Sequence, residues 1–254
     1  MPLVPPRGSA EEARRPGATP ELREAHPAPV AEAHPALVAE AHPASEASPA
    51  TNQSGSYGGG LYVTGATVPA QVSNSVISGN SAVDLGGGIA ANEAIVEVID
   101  SAVDDQIAPN QAASGGGISA SWGAGLTVAN SNVSGNQASY AGGGIYAIYG
   151  QVTVVGGATV TGNDATVAGG GIIVGYRSVV DVLDSTVAGN TAINGGGAAV
   201  GDQGMLHSMA SDWGPSISAP DNVPPDVFVV GSGNTYAYTV MATFDCDWMA
   251  CVPP

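Results

Sequence analysis

Short runs of alternating aliphatic and polar residues recur through the middle of the chain. Val96-Glu97-Val98, Leu126-Thr127-Val128, Val152-Thr153-Val154 and Val180-Asp181-Val182 each set one polar residue between two aliphatic ones. A period of two predicts strands, with the aliphatics facing a core and the middle residue facing water. A second family of runs has its inward slot at Ile77, Val133, Val160 and Val187 and closes on Gly-Asn, as in Ser131-Asn132-Val133-Ser134-Gly135-Asn136. A third starts at a glycine triplet. It puts Ile89, Ile118, Ile145 and Ile172 on one face and Ala90, Ser119, Tyr146 and Ile173 on the other.

The triplets, at 58–60, 86–88, 115–117, 142–144, 169–171 and 195–197, begin 28, 29, 27, 27 and 26 residues apart. A unit of this length, written six times without a helical period inside it, predicts a β-solenoid. Stacking coils ~4.8 Å apart would pair each strand with its copies above and below. Turns then fall in register, which accounts for the glycines and predicts that Asn80, Asn136, Asn163 and Asn190 stack as an amide ladder. Asn74, Asp100, Asn130 and Asp184 stand before the Gly-Asn runs and suit an Asx-type turn. One coil keeps Val103 and Asn110 but places four extra residues between them, Asp104 and Asp105 included, which predicts a bulging loop.

Residues 1–54 break the pattern. Pro, Ala and Glu dominate, and Glu-Ala-His-Pro recurs at 24–27, 32–35 and 40–43. A proline every eight residues forbids a long helix, and the stretch is expected to be a disordered tail. Its three spaced histidines are read as part of a linker rather than as a metal trap. Residues 55–210 form the parallel β-helix in this reading, and 211–254 a small C-terminal β cap. The cap is expected because a solenoid must cover the bare edges of its last coil. Both phenylalanines and two of the three tryptophans lie there. Cys246 and Cys251 are either the ends of a small disulfide loop or two free thiols.

The paired GGGI and SGN motifs resemble the repeats of polymorphic outer-membrane proteins and related bacterial adhesin-like proteins, across roughly residues 55 to 205. That resemblance implies a right-handed parallel β-helix of the pectin-lyase-like fold, here all-β and of about five coils. The C-terminal layout DNVPPDV, YAY and TFDC is similar to the ends of other secreted bacterial β-helix repeat proteins. Autotransporting members end in a membrane β-barrel, and no such strands are expected here. The fold hosts lyases, hydrolases, adhesins and tailspikes, so it does not fix an activity.

Charge narrows the field. The chain carries 22 acids against five arginines and no lysine, a formal net charge of −17. From residue 51 onward Arg177 is the only base against 15 acids, which gives 1 − 15 = −14. Such a surface repels nucleic acid and anionic lipid. No apolar stretch approaches the ~18 residues of a membrane span. The first residues lack the apolar core of a signal peptide, yet export to the outer surface or medium is expected from the fold and the cysteines.

Candidate chemistry is sparse. A lyase of this fold would lack its usual bases, since Arg177 stands alone. A hydrolase needs two carboxylates ~5–10 Å apart. Asp104 with Asp105 would point different ways, and Glu97 with Asp181 would stand three coils or ~14 Å apart. Asp202, His207 and Ser208 are sequence neighbours rather than a spatially assembled triad. Asp212, Asp221, Asp226, Asp245 and Asp247 gather near the end, as a solvated rim or as oxygen ligands for calcium. Tyr62 and Tyr146 share an outward column that Ala90 and Ser119 interrupt, which argues against an aromatic groove. No catalytic, cofactor or metal residue is assigned. The expectation is a non-catalytic, monomeric scaffold for adhesion to a surface glycan or protein, with a polysaccharide-binding or polysaccharide-degrading protein as the alternative.

Overall fold

The computed structural model describes residues 38–40, 52–104, 108–214, 221–223, 226–229, 235–238 and 246–247. All named strand pairs are parallel, and the strands stack as a β-solenoid of about six turns. Most of the tail, Asp105, Asp245, Cys251 and the side chains of Cys246 and Asp247 lie outside the described residues. Within the stretch read as tail, Val38–Glu40 pairs with Ala70–Ser73, and Gln53–Ser54 with Ser81–Ala82.

One coil shows the plan. Ile118–Ser121 belongs to the first sheet, Gly125–Ala129 to the second, Asn132–Ser134 to the third and Gln137–Ala141 to the fourth. The first two sheets have eight strands each and the other two have five. Three runs per coil are visible in the sequence. The fourth sheet is missed because its strands are only two to five residues long and share no motif.

Register follows the hydrophobic pattern. Ile118 pairs with Ile89 and Ile145, and Leu126 with Val96 and Val152, so aliphatics of every coil fall in inward columns. Those columns make one core, in which Ile89, Ile118, Ile145, Ile172, Val98, Val133 and Val160 are fully buried. The C-terminal runs continue the stack, which carries it past five coils. Val227–Val229 pairs with Ala198–Val200, Thr235–Tyr238 with Met205–Met209, and Cys246–Asp247 with Val227–Val229. Trp213 is wholly inside, its indole Nε1 donating to Ser208 Oγ at 2.9 Å.

Each glycine of a triplet has a separate reason. Gly142 has φ 66°, the left-handed region. A Cβ on Gly143 would stand 2.5 Å from the carbonyl oxygens of Asp164 and Gly170, both in the next coil. One on Gly144 would stand 2.9 Å from Asn163 Nδ2. The triplet and the asparagine are therefore two halves of one contact.

The amide ladder runs through Asn52, Asn80, Asn110, Asn136, Asn163, Asn190 and Asn222. In the middle coils each Oδ1 accepts from the backbone N–H and the Nδ2 of the asparagine before it, and each Nδ2 also donates to a valine carbonyl. Asn222 ends the ladder, with Nδ2 donating to the buried Asp226 Oδ1 at 2.7 Å. A second ladder runs beside it. Ser75, Ser101, Ser131, Ser185 and Ser211 turn their hydroxyls back onto the carbonyl two residues earlier.

Asn74, Asp100, Asn130 and Asp184 serve differently from an Asx-type turn. All have φ between 46° and 48°, and they occupy a left-handed corner that short polar residues tolerate. The four-residue insertion leaves the ladder intact. Asn110 keeps its rung, while Ala108 O accepts from Gly79 N–H at 2.9 Å.

Candidate functional site

Two features of the solenoid wall leave large aromatic surface in water. The first lies at the corner between the first and second sheets. Trp122, Tyr149 and Tyr176 occupy it on successive coils, tied by backbone bonds from Gly123 N–H to Tyr149 O and from Tyr149 N–H to Tyr176 O. Trp122 and Tyr149 stack with ring centres 4.9 Å apart, and Tyr176 meets Tyr149 edge-on at 5.3 Å. The Arg177 guanidinium lies 5.2 Å from the Tyr176 ring centre, and its Nε donates to Gln203 Oε1. Trp122 and Tyr149 have φ of 54° and 53°. A bulky residue in that region costs about 1–3 kcal/mol, against about 0.5–1.5 kcal/mol from an aromatic pair.

The second feature is a recess on the outer face of the first sheet. The outward column runs Tyr62, Ala90, Ser119, Tyr146, Ile173, Ala199, Phe228. The glycine turns fold the preceding segments over this face. From Tyr146 onward the cover is filled, as Ala141, Ile173 and Ala199 bury one another with Tyr146, Ala168 and Phe228 around them. At Ala90 and Ser119 the small side chains leave a floor. Tyr57, Tyr62, Leu85 and Trp122 wall it, and Asn92 and Ser121 complete it. Tyr146 lies outside this recess, so Ala90 and Ser119 do separate it from Tyr62, and the other aromatics of the recess are Tyr57 and Trp122.

The recess has about 30 Å3 of room for the centres of water-sized groups. Ser119 is 0% exposed, and its Oγ and the Oδ1 of Asn92 are buried without a hydrogen-bond partner. Around the mouth Tyr57 and Tyr62 are each 42% exposed and Trp122 56%. The tyrosine rings lie 5.7 Å apart at 34°. Among the described residues no carboxylate lines this recess. Broader troughs along Asn74, Asp100 and Asn130, and along Gln111, Gln137 and Asp164, are open, with side chains that bond across coils.

The other chemistry-bearing residues do not converge. Glu97 and Asp181 share a column with Thr127 and Thr153 between them. Asp104 is buried. His207 Nδ1 meets Asp181 Oδ1 at 2.8 Å in the preceding coil, while Ser208 is in the core. Asp212 Oδ1 accepts from Gly214 N–H, and Asp221 Oδ1 from Asn222 N–H. Among the described residues no three His, Cys, Asp or Glu side chains come together as metal ligands.

Burial, with Tyr140 second, raises the Tyr146 phenol above its ordinary 10.0. The folded state therefore resists losing this proton more than the unfolded chain does. The associated stability is complete below pH ~10, and it is lost as pH rises from there through the raised folded value. Tyr146→Phe should abolish that part of the decline, read as Tm against pH from 9 upward.

No family model matches this chain, and no curated protein or solved structure matches it.

Proposed function

We propose that this chain is a non-catalytic adhesion scaffold, secreted or held at the outer cell surface, whose solenoid wall presents the aromatic corner and recess to a surface partner. The observation that carries the reading is the exposed aromatic set Tyr57, Tyr62, Trp122 and Tyr149, on a wall that also leaves Val83, Tyr140 and Ile193 in water. Exposed apolar surface of this kind is a contact surface more often than an accident. The resemblance to right-handed, pectin-lyase-like adhesins agrees with this reading, as does a surface too acidic for nucleic acid. The partner in this proposal is a surface glycan or protein, and the working unit is a monomer.

Polysaccharide binding is the second reading, and aromatic walls round a polar floor favour it. Turnover is not favoured, because hydrolysis requires a pair of carboxylates flanking the bond. The test is a cell- and glycan-binding assay on the full chain, followed by a reducing-sugar assay on whatever binds. Retention without turnover is expected. Release of reducing ends from any polysaccharide would end the scaffold reading.

A further inference from the structure

Beyond the adhesion reading, and without resting on it, we propose that the outer face of the second sheet is where two copies of this chain pair. The copies meet with their coils in opposite order, about a two-fold axis parallel to the strand Gln151–Val155.

The second sheet turns aliphatic side chains outward as well as inward. Ile95, Ile99, Val155, Leu183, Met205 and Met209 flank an outward middle column of Glu97, Thr127, Thr153, Asp181 and His207. All six are at least partly in water, Ile95 at 42% and Met209 at 47%. Among the described residues none of the six joins either buried core. A solvated sheet face ordinarily reads polar, so aliphatics on both sides of this column point to a partner.

The middle column says which partner. Two such faces meeting with coils in the same order would set Glu97 against Glu97 and Asp181 against Asp181, like charges that repel. In opposite order, centred between Thr127 and Thr153, Glu97 would face Asp181. Centred on Thr153, Glu97 faces His207 of the second copy, Thr127 faces Asp181 and Thr153 faces itself. Sizes then match as well. Gly125 comes opposite Val179 and Ala129 opposite Leu183, small against large. Val155 meets Val155, and the adaptable Met205 and Met209 meet Ile95 and Ile99. At the corner where these strands start, the same axis brings Trp122 towards Arg177 of the second copy, a ring towards a guanidinium. A face complementary to itself in this way makes an isologous pair.

Area sets the strength. Five residues per strand at ~3.3 Å and five coils at ~4.8 Å make a face of roughly 17 by 24 Å, about 400 Å2 per copy. The pair buries about 800 Å2 before the corner is counted, at the low end where transient complexes lie. The dimer is therefore weak and reversible, and the monomer of the adhesion reading is its dissociated form.

The test is sedimentation velocity on the full chain over about a hundredfold range of concentration. The sedimentation coefficient should rise with concentration towards that of a dimer. High salt should favour the dimer, because screening relieves the repulsion between two chains of net charge −17. Val155→Asp sets a carboxylate against its own copy and should weaken the dimer at least about tenfold. Val155→Lys should do the same, and an equimolar mixture of the two variants should regain the pairing. Val83→Asp, beside the fourth sheet at a site 63% exposed, should leave association unchanged. Far-UV circular dichroism checks the fold of each variant. Should Val155→Asp unfold, Ile95→Asp repeats the test at a more exposed position.

A single monomeric species at every concentration overturns the proposal. So does a dimer that Val155→Asp and Ile95→Asp leave untouched, because the copies then meet elsewhere. A mixture of the two Val155 variants that stays monomeric overturns the two-fold arrangement. Adhesion is read separately: a chain that never dimerises yet binds cells leaves the scaffold reading standing.

Discussion

Gly143→Ala is expected to be among the most damaging single substitutions in the solenoid. Its Cβ would come within 2.5 Å of two carbonyl oxygens, those of Asp164 and Gly170. Both belong to the backbone of the next coil, so no side-chain rotation relieves the clash and the coils must separate. Overpacking a core with flexible neighbours costs about 1–3 kcal/mol. Against backbone the cost should reach about 3 kcal/mol or more, a large share of the about 5–15 kcal/mol that holds a domain. Gly157→Ala is the control. Gly157 has φ 78° and nothing within 4 Å of its Cβ position, so its cost should be that of the backbone angle alone, about 1–2 kcal/mol. Urea midpoints followed by far-UV circular dichroism rank the two. A Gly143→Ala midpoint at or above that of Gly157→Ala would refute the tight coil contact.

Asn163→Ala should follow closely. The Asn163 Oδ1 accepts both the backbone N–H and the side-chain Nδ2 of Asn136, and its own Nδ2 donates to Asn190 Oδ1 and Val133 O. Truncation strips buried groups on both sides, at ~1–3 kcal/mol for each left unsatisfied. Thr159, half-buried on the strand that leads into Asn163, donates its hydroxyl to Asn132 Oδ1 at 2.7 Å. Its replacement by Ala should stay within about 0.5 kcal/mol. If Thr159→Ala proved the more damaging, the ladder would not be what holds the third sheet in register.

The stacked fold is legible in the sequence because identical coils demand identical residues at the same slot. Ile118, Val128, Gly142 and Asn163 announce their roles by recurring. The ends of the ladder are harder to see, since Asn52 and Asn222 lie outside the Gly-Asn motif and are identified only by the rung each completes. The serines of the second ladder also recur in the sequence, but a hydroxyl has many uses, and nothing in their spacing says that they turn back onto a carbonyl. The recess was not legible for a sharper reason. Ala90 and Ser119 look like gaps in a column. Whether a small residue leaves a hole depends on what folds over it, and here that cover comes from Tyr57 and Leu85.

The insertion after Val103 has a consequence for how such a chain can change. Asp104 O still accepts from Asn110 Nδ2, and Ala108 O takes the backbone bond that Thr161 and Ala188 accept in other coils. The coil thus closes its hydrogen bonding on either side of the extra residues. Lengthening that loop should cost little, since each doubling of a loop adds only about 0.6 kcal/mol. This corner is a port at which new sequence can be tried, by evolution or by design, while the neighbouring coils keep their register.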